Sequence, residues 1–285
     1  MRVANLNGRL VLLDGDRALD VATASSGAFG PDPQTAYVSW ESFAGWARGA
    51  DFAQAVPFDA AQLGPPVPAP SQVIAIGLNY REHAIESNLA IPDAPVVFSK
   101  FASCLSGPVG DIPLVPGNVD WEAELVVVIG RSARRISVAD AWSHVAGFTI
   151  GQDISERVLQ TSGPAPQFGL AKSFESFGPT GPAVVTVDEL DDPDDLAIGS
   201  SLDGEVMQDS RTSELIFPVA ELVSRLSHVL ELRGGDLIFT GTPSGVGMGR
   251  KPPRFARAGQ ELRTRIEGLG EMRHRFVAVD SPTRV

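Results

Sequence analysis

Short apolar runs, each closed by a glycine or a polar turn, recur along this chain with no regular helix between them. QVIAIG (72–77), APVVFSKF (94–101), AELVVVIG (123–130), VAGFTIGQD (145–153), GPAVVTVDEL (181–190) and DLIFTGTPSGVG (236–247) read as strands. ELRTRIEGLGEMRHRFVAV (261–279) reads as a closing hairpin, and RLVLLDGDRALDV (9–21) as strand, Asp-Gly turn and strand. Helical patterning is confined to a few segments. These are 35–52, REHAIESN (81–88), RSARRISVADAWSH (131–144) with Ser137 as its cap, and the long amphipathic stretch 212–232, interrupted by Pro218. Strands outnumber helices and do not alternate with them. The expectation is therefore an α+β fold dominated by β-structure, not a doubly wound sheet.

The 285 residues allow one large domain, or a large domain with a small one. Four prolines, Pro65, Pro66, Pro68 and Pro70, make a stiff connector. A small N-terminal α/β domain is thus expected over 1–70 and the main domain over 71–285. The net charge of −12, with no dense Lys/Arg cluster, speaks against a nucleic-acid partner. No apolar run approaches the length of a membrane span, and the first residues lack the apolar core of a signal peptide, so a cytoplasmic setting is expected. The single cysteine, Cys104, cannot form an intrachain disulfide and reads as a small buried residue.

Several chemistries are missing. There is no Cys-x-x-Cys, no His-Glu-x-x-His and no Gly-x-Ser-x-Gly, and GVGMGR (245–250) fails the dinucleotide fingerprint. The strand 123–130, however, is entered by three acids at alternate positions, Asp120, Glu122 and Glu124. In a strand such residues share a face, with Cβ atoms about 7 Å apart. Two carboxylates so placed can reach one cation, and Asp153, at the end of the next strand, offers a third. An all-oxygen set suits Mg²⁺, Mn²⁺ or Ca²⁺. The same pattern also fits a charged edge strand kept soluble by its acids. His83 and Glu86, three apart in a helix-like segment, are either a base with its orienting carboxylate or an ordinary surface pair. Lys172 is either a solvent-facing residue or a positioned cation. TGTPSGVG (240–247) offers a string of backbone N–H groups that could cradle an anion, or is a common turn.

Together, GLNYREHAIE (77–86), FSK (98–100), DWEAELVVVIG (120–130), AGFTIGQDISER (146–157), LAKSFESFGPTGP (170–182), LDGEVMQ (202–208), GGDLIFTGTPSGVG (234–247) and GLG (268–270) resemble the fumarylacetoacetate hydrolase family, in the family's order. The likeness is to its bacterial acylpyruvate hydrolase-like branch. The resemblance implies a mixed β-sandwich roll, commonly a homodimer, with Mg²⁺ or Mn²⁺ held by Glu122, Glu124 and Asp153 and with Asp120 behind them. It implies His83 and Glu86 on a mobile lid, Gln160 and Lys172 in the active site, and substrate contacts from Thr242 and Gly241. It further implies hydrolysis of a C–C bond in a small oxo acid of the acylpyruvate type, such as a fumarylpyruvate- or fumarylacetoacetate-like acid. The alternatives are an oxaloacetate-type decarboxylase or an oxo-diacid isomerase or hydratase using the same metal, or a non-catalytic homodimer braced by it. The chain departs from the family pattern at Val158, Ala171 and Asp203-Gly204-Glu205, which bears on substrate identity and leaves the proposed ligands intact.

Overall fold

The computed structural model describes residues 1–279; residues 280–285, the last six of the expected main domain, lie outside the described residues. The principal strands are β1 (Arg2–Leu6), β2 (Arg9–Asp14), β3 (Arg17–Asp20), β4 (Val73–Gly77), β5 (Val96–Ser99), β6 (Val109–Leu114) and β7 (Ala123–Ile129). They continue with β8 (Val145–Gln152), β9 (Gly178–Val185), β10 (Ala197–Leu202), β11 (Glu205–Arg211), β12 (Leu237–Phe239), β13 (Glu261–Ile266) and β14 (Gly270–Ala278). The helices that matter here are α1 (Trp40–Ala47), α2 (Arg81–Glu86), α3 (Arg157–Gln160), α4 (Phe168–Ala171) and α5 (Val219–Val229).

The larger sheet runs β3-β2-β1-β9-β8-β7-β12-β4-β5, and the second, five-stranded sheet runs β11-β10-β13-β14-β6. Most neighbours are antiparallel, while β12–β4 and β14–β6 are parallel, so both sheets are mixed. The fold is α+β and β-dominated, as the scatter of short apolar runs requires.

β7 sits at the centre because both of its faces are apolar. Leu125, Val127 and Ile129 pack with Ile198, Ile266 and Met272 of the second sheet and with Leu222, Val223 and Leu226 of α5. Val126 and Val128 face the other way, against Leu10, Leu12, Tyr37 and Phe43. Each fully buried aliphatic side chain of this kind contributes about 1.5–3 kcal/mol. A strand clamped from both sides gives a rigid base for whatever stands at its mouth. The sheet is continuous across residue 70, since β1 pairs with β9 through Arg2–Val185 and Val3–Val184.

Two helical expectations change. Segment 131–144 is not a helix but an irregular chain ending in a 3₁₀ turn at Ala141–His144. Arg135 has φ 53°, Ala133 bridges to Leu232, and the Arg135 N–H donates to Ser227 O at 2.8 Å. Tertiary pairing to the end of α5 wins over local propensity. Ser137 therefore caps only a turn, accepting from Asp140 N at 3.2 Å. Pro218 does not interrupt a helix; it stands at the N-terminal cap of α5, where a missing N–H costs nothing.

Candidate metal centre and active-site cavity

The register of β7 and β8 builds the site. Ala123 is paired with Gln152, so Glu122 and Asp153 stand side by side just beyond the last pair, and Asp153 N donates to Glu122 O at 2.9 Å. Glu124 lies two residues further in on β7. Carboxylate oxygens of Glu122, Glu124 and Asp153 come within 4.8 Å of one another, and all three residues are buried. An oxygen-only set of this size, with its charge out of water, is able to hold a hard divalent cation such as Mg²⁺ or Mn²⁺.

Asp120 leaves this group. The chain is not in strand conformation at Trp121 and Glu122, and Asp120 belongs to a separate two-residue pairing with Ser155. The strict alternation expected through the three acids is broken there, and Asp120 points elsewhere. It accepts from Arg157 Nε at 2.8 Å, Trp121 N at 2.8 Å, Gly247 N at 2.7 Å and Met248 N at 2.9 Å.

Three buried cations surround the acids. Lys172 Nζ donates to Glu122 Oε2 at 2.7 Å and to Asp153 Oδ2 at 2.6 Å. Lys100 Nζ donates to Asp153 Oδ1 at 2.6 Å and also to the carbonyls of Lys172 and Phe177. Arg157 Nη2 lies 2.7 Å from Glu122 Oε1. Four buried acids thus meet three bases, and Glu124 is the acid without one. Burial, then Asp153 and Glu122, push the Glu124 carboxyl well above its usual range. Burial pushes Glu122 the same way, but Lys172 and Arg157 outweigh it and hold the group at about 2. Burial lowers the Lys172 ammonium, yet Asp153 and Glu122 reverse this and raise it.

The Gly-rich loop does cradle anions, but they are the protein's own. Gly241 N donates to Glu124 Oε2 at 2.8 Å, Gly245 N to both oxygens of Glu86 at 3.1 and 3.2 Å, and Gly247 N to Asp120. Gly241 has φ 102°, and a Cβ there would lie 2.8 Å from Asn79 Cβ, so the approach to Glu124 needs glycine. The Thr242 hydroxyl donates to Ala123 O at 2.9 Å and accepts from Gln208 Nε2 at 2.7 Å, so its protein partners already use its single proton.

Above this floor, His83 on α2 is buried, with Nδ1 3.4 Å from Glu86 Oε2. His83, Glu122, Glu124, Asp153, Gln160, Lys172 and Thr242 line one cavity of about 200 Å³. Gln160 Oε1 accepts from Arg157 Nη1 at 2.9 Å, which turns its amide NH₂ outward. Lys100 and Arg157 were not singled out by sequence reasoning. The available signal was their place in FSK and DISER, at the ends of strands that meet the acidic triad.

This acid-lined centre at a strand mouth, roofed by a His–Glu helix, belongs to a metal-dependent class of β-roll enzymes. Residues 72–277 match the fumarylacetoacetate (FAA) hydrolase C-terminal domain, and the chain belongs to that family. It is 45% identical over 214 residues to oxaloacetate tautomerase FAHD2A, mitochondrial, of Bos taurus, covering 74% of this chain and 68% of that one. A Mycobacterium smegmatis protein provisionally named HpcE superposes with a TM-score of 0.93 at 55% identity, over 98% of this chain and 100% of the other. Maleylpyruvate hydrolase from Sphingobium sp. SYK-6, solved with manganese(II) and pyruvate, gives a TM-score of 0.79 at 28% identity, over 98% of this chain and 99% of the other. No described helix is long and apolar enough to cross a membrane.

Proposed function

We propose that the protein is a divalent-metal-dependent hydrolase that cleaves a C–C bond of an acylpyruvate-type 2-oxo acid, working as a cytoplasmic homodimer. The observation that carries this reading is His83, buried, backed by the half-buried Glu86, and lining the same cavity as Glu122, Glu124 and Asp153. The triad would hold the ion, which when bound supplies Lewis-acid polarisation of the substrate's 2-oxo oxygen. His83, oriented by Glu86, takes a proton from water as the water oxygen adds to the distal carbonyl. Glu86 is itself fixed by Gly245 N–H, so the imidazole keeps its aim. Lys172 uses two of its three N–H groups on carboxylates and has one left for the developing oxyanion. The Gln160 amide offers a second donor. The bond between C3 and the distal carbon then breaks, its electron pair stays with the pyruvate fragment, and a proton returns to C3.

A second reading is proton transfer or decarboxylation on an oxaloacetate-like acid. It is favoured by the 45% identity to a protein named oxaloacetate tautomerase, and it needs His83 but no activated water. The test is kcat/KM for a simple acylpyruvate and for oxaloacetate, side by side under saturating Mg²⁺, following pyruvate, CO₂ and the enol. A tenfold or larger advantage for the acylpyruvate is expected, about 1.4 kcal/mol in the barrier. The reverse advantage selects the second reading. Light scattering on a sizing column checks the dimer.

A further inference from the structure

The cavity walls differ in kind from its floor. Away from the triad the lining is Leu78, Leu89, Phe98, Phe168 and Met248, with uncharged hydroxyls from Ser87 and Thr161. Among the described residues, only three that line the cavity carry or can acquire positive charge, and each already faces a carboxylate. Arg157 spends Nε on Asp120 and Nη1 on Gln160, and its Nη2 faces Glu122. Lys172 bridges Glu122 and Asp153, with the ring of Phe98 5.3 Å away on another side. His83 faces Glu86.

We infer that the site selects a 2-oxo acid whose far end is uncharged and apolar, and discriminates against one bearing a second carboxylate there. This rests on the reading that a 2-oxo acid binds at the triad. A second carboxylate on the distal wall would lose its water against Leu78, Leu89 and Phe168 and find no cation that does not already face a carboxylate. Hydroxyls from Ser87 and Thr161 and the Gln160 amide offer hydrogen bonds there but no counter-charge, so a carboxylate would be taken out of water without one. The acid excess of the floor adds like-charge repulsion. An alkyl or aryl tail replaces water against the same walls favourably.

The experiment measures binding rather than turnover. The full chain loaded with Mn²⁺ is titrated by calorimetry with 2-oxohexanoate and with 2-oxoadipate, which have equal carbon number and differ in a terminal methyl against a carboxylate. The expected result is 2-oxohexanoate binding at least tenfold more tightly. In Leu89→Arg, a substitution at a rim residue 54% exposed, the two affinities are expected to converge while Mn²⁺ affinity is unchanged. Equal or tighter binding of 2-oxoadipate by the unsubstituted protein overturns the inference. If neither acid binds, the 2-oxo acid reading falls and takes the inference with it. If binding is selective but no acylpyruvate is cleaved, the inference stands and the hydrolase reading falls.

Discussion

On the cavity floor every carboxylate except Glu124 meets a buried cation. On the roof, the carboxylate that orients His83, Glu86, meets only a backbone N–H and an imidazole. The floor is assembled from strand ends far apart in sequence and cross-linked by charge-assisted bonds. Removing one partner of such a buried pair costs about 3–5 kcal/mol. The roof is a six-residue helix held through Glu86 to Gly245 and by an exposed Ser244–Glu82 contact at 3.2 Å. Hydrogen bonds to a charged group contribute about 1.5–3 kcal/mol each, and less where the contact is exposed. On the function proposed above, the difference would divide the labour, the floor keeping its geometry and the roof opening to admit substrate.

The largest effect should come from Glu124→Gln. It preserves shape and leaves an acceptor for Gly241 N–H, but removes the one acid with no cation of its own. Mn²⁺ affinity, read by electron paramagnetic resonance, is expected to fall more than about 100-fold, beyond the range typical of residues behind the ligands. The far-ultraviolet circular dichroism should not change. Unaltered affinity would remove Glu124 from the floor. His83→Ala is the matching change on the roof. Acylpyruvate turnover should drop by about 10²–10⁴-fold, the usual loss of a general base, with Mn²⁺ binding intact. A fall in Mn²⁺ affinity there would erase the division between the two regions.

Lys100→Met leaves Asp153 Oδ1 without its ammonium and should lower unfolding stability by about 3–5 kcal/mol, measured by denaturant titration. A loss below 1 kcal/mol, the level of an exposed pair, would mean that the floor is no stiffer than the roof. The smallest effect is in pH. Glu124 is pushed above the usual carboxyl range by burial and by Asp153 and Glu122, so at any pH where it is protonated an arriving cation must displace that proton. Mn²⁺ affinity should therefore rise with pH up to that shifted value and level off above it, by at most about tenfold per unit. A flat profile would show Glu124 already ionised.

Much of this was legible in the sequence because it is local. The Asp14–Arg17 hairpin and the closing hairpin of β13 and β14 follow from alternation and turn residues. The meeting of Glu122, Glu124 and Asp153 follows from two strands adjacent in sequence. What was hidden depends on distant partners. Lys100 reads as a lysine at a strand end, and only the fold brings the carbonyls of residues 172 and 177 to its ammonium. The irregular path of 131–144 is imposed by Ser227 and Leu232, which no local pattern announces. The Gly-rich loop showed its donors but not that Glu86, Glu124 and Asp120 occupy them.

Asp120 ties the two regions together. One oxygen holds Gly247 N–H and the other holds Met248 N–H and Arg157, so the loop that latches the roof and the guanidinium that aligns Glu122 hang from a single side chain. For the history of such a chain this sets a hierarchy of freedom. A change at 120 disturbs latch and ligand at once and has no single compensating substitution. A change at the rim, at Leu89, touches neither, so the cavity wall can vary there while the buried acid cluster is kept whole.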